Sequence, residues 1–267
     1  MMELDVTSHW SDEIEVPIGF VARWEIGPLT LYARRDRHRW ALYSCYDDER
    51  EEALTRVVAP AGELDIPTAP EWARHGFKDA PSSIRLRPLL ANRPIVTRPE
   101  FPFRLPAGER VVLYVSTPLW IEVRVGKARV PLADLPTWHL PDTWFGTVED
   151  GHLCYAASTS CRQDVENVPL RPFRAVTPLA IVNASAEPVS LNRISLPVPN
   201  LRLYAADGRL WTEALTLAHE PNRGFAQARR GKGPPEEAGE AQLLTAPREA
   251  LGENFVVRAF TSLFGST

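Results

Sequence analysis

The chain has 267 residues, enough for one large domain or two small ones. Hydrophobic residues make up 44% and charged residues 24%, which is a globular composition and excludes a disordered chain. A formal net charge of -4 and a pI near 5.9 give no general reason to bind nucleic acid or an acidic membrane surface.

Proline is the informative excess. There are 25, spread along the chain, so long helices are excluded over most of it. The three cysteines show no CxxC spacing, and the start, MMELDVTSHWSDEIEV, is too acidic for a signal peptide. No apolar run approaches the roughly 20 residues of a membrane helix. These features predict a cytoplasmic protein with reduced thiols and no membrane insertion.

Residues 20–46 read as a β meander: Phe20–Ile26, a Gly27-Pro28 turn, Leu29–Arg34, a charged tip and Arg39–Tyr46. The tip ARRDRHRW has the chemistry of an anion patch, but nucleic-acid recognition needs a wider basic surface, so a solvated hairpin tip is the favoured reading. Asp48, Glu51 and Glu52 predict a capped short helix to about Arg56. Residues 60–82 are loop-like. From residue 99, FPFRLPAGERVVLYV reads as strand, turn, strand. LWIEVRV then alternates, with Leu119, Ile121, Val123 and Val125 on one face.

Trp138 to Cys161, WHLPDTWFGTVEDGHLCYAASTSC, reads as a hairpin closed by a two-residue Asp150-Gly151 loop. That register pairs Glu149 with His152 and Phe145 with Ala156. It puts Trp144, Val148, Leu153 and Tyr155 on one buried face and a mixed set on the other. Here His139, Asp142, Glu149, His152 and Cys154 are the candidate ligand-binding residues. His139, His152, Cys154 and Cys161 are zinc-competent types, and Asp142 and Glu149 could do acid/base work. The spacing matches no zinc motif, so structural roles are favoured and no metal or cofactor is expected. The motifs GxSxG, HExxH, GxxxxGK[ST] and GxGxxG are absent, and the expectation leans away from an enzyme.

A second hairpin is predicted at Leu201–Ala206, Asp207-Gly208 and Leu210–Leu217, with Tyr204 opposite Trp211 and Arg202 opposite Glu213. Residues 222–247 lose periodicity and read as a flexible linker or exposed loop. In the C-terminal segment 248–267, Glu253–Phe264 has the spacing of an amphipathic helix. Phe255, Val256, Phe260, Leu263 and Phe264 are its candidate docking residues. The favoured destination is the protein's own sheet; a protein partner or a second copy of the chain is the alternative.

The fold expectation is all-β, an antiparallel β-sandwich architecture with one short C-terminal helix. It comprises a meander lobe over 1–98 and a sandwich lobe over 99–221. The phrases DTWFGTVEDGHLCYA, STPLWIEV and ISLPVPNLRLYAADGRLWT resemble an uncharacterised prokaryotic group, domain-of-unknown-function family 432. The likeness runs from the meander to Trp211. It implies no assigned activity, cofactor or catalytic residue. It also implies company with mechanosensitive-type channels, which would suit a soluble partner of a membrane protein. The expected function is a non-enzymatic binding or regulatory module. The alternative is a metal- or small-ligand-dependent enzyme with its site around Trp138 to Cys161.

Overall fold

The computed structural model describes residues 12–50, 54–68, 71–100, 103–149, 151–160, 162–219, 226–250 and 254–257. These form 23 strands and three short 3-10 turns. In chain order the strands begin with β1 (Ile14–Glu15), β2 (Phe20–Ile26), β3 (Leu29–Asp36), β4 (Arg39–Tyr46) and β5 (Leu54–Pro60). Next come β6 (Ala73–Gly76), β7 (Ser83–Leu89), β8 (Ile95–Pro99), β9 (Phe103–Leu105), β10 (Arg110–Pro118) and β11 (Trp120–Val125). They continue with β12 (Val130–Pro136), β13 (Asp142–Phe145), β14 (His152–Thr159), β15 (Arg174–Asn183), β16 (Val189–Leu191) and β17 (Ile194–Leu196). The last are β18 (Leu203–Ala206), β19 (Arg209–Thr212), β20 (Leu215–His219), β21 (Ala226–Arg230), β22 (Gln242–Thr245) and β23 (Asn254–Val257). No helix among the described residues is long and apolar enough to cross a membrane.

The strands fall into two compact units, neither continuous in sequence. One comprises Met1–Leu89, Pro118–Trp138 and Arg171–Phe173; the other comprises Leu90–Thr117, His139–Leu170 and Arg174–Thr267. The first unit holds a five-stranded sheet, β5-β2-β3-β4-β6, and a four-stranded sheet, β1-β7-β11-β12. The meander forms as its alternation demands. The two-residue Gly27-Pro28 loop pairs Ile26 with Leu29 and Trp24 with Leu31. Trp24, Ile26, Leu29, Leu31, Trp40 and Leu42 are thereby turned to one buried face. Burying each such side chain is worth about 1.5–3 kcal/mol. The two sheets are tied by the Tyr46 hydroxyl, which donates to the Pro136 carbonyl at 2.9 Å. In the arginine-rich tip, Arg35 turns inward to the Ala80 and Val16 carbonyls, while Asp36 takes Arg39 at 2.6 Å.

The second unit is built on β15, whose RAVTPLAIVN run is almost wholly buried. Its neighbours β19 and β20 both pair with it in parallel, which suits a strand apolar on both faces. Asn183 ends β15 as a buried staple. Its amide nitrogen donates to the Leu105, Pro106 and Glu187 carbonyls at 3.0, 2.9 and 2.8 Å. The predicted β18–β19 hairpin is present in its predicted register, with Tyr204 opposite Trp211. Asp207 and Gly208 both hold positive φ, 48° and 71°, as a two-residue hairpin turn of the primed type requires. Arg202 reaches Glu213 at 2.8 Å. A further sheet, β13-β14-β8-β17, joins β8 to β14 in parallel.

The all-β expectation holds, with several corrections. Leu54–Arg56, expected in a short helix, belongs to strand β5, because its residues pair with β2 from Ile26 back to Trp24. The 222–247 stretch, expected to be linker, contributes β21 and β22; β21 pairs with β20 and β22 with β18. The predicted C-terminal helix is not present where it is described: Asn254–Val257 is strand β23, paired with Ala226–Arg229. That pairing places Phe255 and Val256 on the outermost strand of a sheet. Phe260, Leu263 and Phe264 lie outside the described residues.

Candidate functional site

The Trp138–Cys161 hairpin exists in a different register. Asp142 pairs with Tyr155, Thr143 with Cys154, Trp144 with Leu153 and Phe145 with His152. The connection is the six residues 146–151, so the offset from the predicted register is four. An even offset keeps Trp144 and Tyr155 on one face, but that face is not buried at this edge. Trp144 is 48% and Leu153 41% exposed, whereas Phe145 and Cys154 on the other face are fully buried with Val96. Cys154 and Phe145 thus fill a small core where a mixed, accessible face was expected.

The candidate residues are distributed accordingly. His139 and Glu149 are exposed. Asp142 is exposed and takes Arg93 at 3.1 Å. His152 is half-buried, its ring centre 6.3 Å from that of Phe145 in an edge-on arrangement. Cys154 lies on the same face, its thiol 3.7 Å from the His152 carbonyl that accepts from it. Burial outweighs the nearby Arg193 cation and pushes that thiol up to about 11, so it is neutral at ordinary pH. Asp142 points from the opposite face of the strand. Among the described residues, no group of three or more His, Cys, Asp or Glu side chains is placed to hold a metal ion.

The register instead assembles two other surfaces. One face of the β13-β14-β8-β17 sheet carries Ile95, Thr97, Ile194 and Leu196, all buried, and emerges at its free edge as Tyr155, Leu153 and Trp144. The Trp144 ring is fixed there: its Nε1 donates to the Thr147 carbonyl at 2.9 Å, and it lies so close over Gly151 that a Cβ would not fit. Arg93 sits 5.3 Å over the Tyr155 ring, and the Tyr155 hydroxyl donates to Asn92 at 2.9 Å. Val148, at the loop tip, is 93% exposed. The opposite face presents Arg193 over the Phe145 ring at 5.2 Å, next to Arg98. Arg93, Arg98 and Arg193 escape sequence reasoning because each lies 48 to 62 residues from the hairpin residues that it meets.

Fold and site together define an all-β protein whose most distinctive surface is a sheet edge, at β13, that no other strand among the described residues covers. The chain belongs to the family described as Protein of unknown function (DUF432), whose model matches residues 12–264. No curated protein and no solved structure matches it.

Proposed function

We propose that the protein is a non-enzymatic binding module that takes a protein partner at the open β13 edge. The observation that carries this reading is the exposure of Trp144, on the outermost strand β13, and of Leu153, its direct partner on β14. An edge strand offers backbone donors and acceptors, here with the Trp144 carbonyl already taken by Arg193, and the apolar pair beside it offers a pocket-filling anchor. Tryptophan is among the side chains that most often dominate an interface. This one is already held by Thr147, so docking immobilises little that is free. The Arg93–Asp142 pair gives the patch a polar rim. The unpaired cysteine spacing supports a reducing, cytoplasmic setting for the module.

The test compares wild type with a Trp144→Ser, Leu153→Ser double variant. Both side chains are largely in water, so melting temperature should be nearly unchanged. A partner found by crosslinking and then purified should bind wild type in a defined ratio and the double variant at least about 30-fold more weakly. Equal affinity for both proteins would remove this surface from consideration.

A further inference from the structure

We propose that the other face of the same sheet carries a binding site for a phosphate-type dianion, held between Arg98 and Arg193. Strands β8 and β17 pair Ile194 with Thr97 and Ser195 with Val96. Continuing that antiparallel register by one residue sets Arg193 directly opposite Arg98, with Cα atoms about 4.5–5.5 Å apart. Both side chains project on the face of Val96, away from Trp144. Like charges directly opposite each other destabilise a sheet. A fold keeps such a pair when something neutralises it, and no carboxylate among the described residues does. Neither arginine forms an ion pair among the described residues, and Glu100, two residues along from Arg98, reaches neither.

The donors are also underused. The Arg193 Nη2 donates to the Trp144 carbonyl at 3.0 Å and approaches the Thr143 hydroxyl at 3.4 Å, but its Nε is buried with no acceptor. Arg98 is exposed and makes no side-chain hydrogen bond among the described residues. Ser158, its neighbour across the parallel β14 pairing, adds an exposed hydroxyl on the same face. Burial, and then the Arg98 cation, hold the Arg193 guanidinium below its ordinary pKa, as expected of a charge that lacks its counterion. Two unneutralised guanidinium forks call for a ligand with two charges and several oxygens. A phosphoryl group carries about -1.5 to -2 at pH 7 and accepts from both forks.

The site lies on different residues from the β13 patch and stands or falls separately. Inorganic pyrophosphate is titrated into the full chain against sodium chloride of equal ionic strength, by calorimetry and by thermal melting. Wild type should bind and melt higher. Arg98→Gln should melt at or slightly above the wild-type temperature, since it loses no partner and relieves the repulsion from Arg193, and should bind at least 10-fold more weakly. Arg98→Glu gives Arg193 its own carboxylate. It should raise the melting temperature of the ligand-free protein and abolish the pyrophosphate response. Phosphatidylcholine vesicles with and without phosphatidic acid separate the sources. Co-sedimentation that needs phosphatidic acid and is competed by pyrophosphate identifies a lipid headgroup; pyrophosphate binding without co-sedimentation identifies a free anion. No response beyond that of chloride, or an undiminished response in Arg98→Gln, overturns the proposal.

Discussion

At Glu213 a single carboxylate anchors the buried polar structure of the second unit. It is wholly buried, and it accepts from the Arg202 backbone N–H at 2.5 Å and from the Arg202 guanidinium at 2.8 Å. The Arg230 Nε stands 3.8 Å away, and Arg230 also donates to the Asn200 carbonyl at 2.5 Å. Removing the one carboxylate of a buried ion cluster takes away the counter-charge of its cations. Glu213→Ala should therefore cost about 3–5 kcal/mol in urea unfolding. Glu213→Gln, which keeps an acceptor for the Arg202 N–H, should cost less. Burial raises the Glu213 pKa above the ordinary 4.5, against the pull of its donors. In the window above 4.5 the folded chain therefore holds a proton that the unfolded chain has released. Its contribution to stability falls as pH rises through that window and levels off above the raised pKa. Glu213→Gln should flatten this part of the stability-versus-pH curve. An unchanged slope in the window just above pH 4.5 would mean that Glu213 is not the group responsible.

Among the elements, the two hairpins show what local sequence determines. In β18–β19 the turn residues sit at the turn. Asp207 and Gly208 are the pair that tolerates positive φ, so the register, the Tyr204–Trp211 pair and the Arg202–Glu213 pair were all readable. Gly208→Ala meets no neighbouring atom within 4 Å, so its cost is backbone strain alone, about 1–2 kcal/mol by thermal or urea melting. A neutral result would show that the turn relaxes to another type. In β13–β14 the register is not the one that a two-residue loop at 150–151 would give; Asp150 lies outside the described residues. Which face of that hairpin is covered is decided by β8 and β17, far away in sequence. Alternation supplied the two faces; only the long-range partners say which is inside. The same reasoning applies to Phe255 and Val256: their spacing fits a helix, yet pairing with β21 makes the segment a strand. The candidate site was legible only as a neighbourhood, because its cations arrive from β8 and from the residue before β17.

Across the whole molecule the decisive feature is the interleaving of the two units. A division near residue 98 was suggested by the sequence, and the chain does leave the first unit after Leu89. It returns, however, for Pro118–Trp138 and again for Arg171–Phe173. Strand β7 is consequently central in its sheet, between β1 and β11. A fragment of residues 1–98 lacks β11 and β12 and leaves the edge of β7 bare, with Ile84 and Leu86 uncovered. It should show no cooperative thermal transition and should aggregate at concentrations where the full chain remains monodisperse by light scattering. A fragment that melts cooperatively would show that β11 and β12 are dispensable to that unit.

The order of strands in the β1-β7-β11-β12 sheet also sets a schedule for biosynthesis. When Leu89 has left the ribosome, β7 has no second neighbour, and the strands that complete its sheet end at Pro136. At roughly 5–20 residues per second, a nascent chain carries that unfinished apolar strand for about 2–10 s, while residues that belong to the other unit are being made. Slowing translation between the codons for residues 90 and 118 would lengthen this exposure, and the yield of folded protein should fall with it.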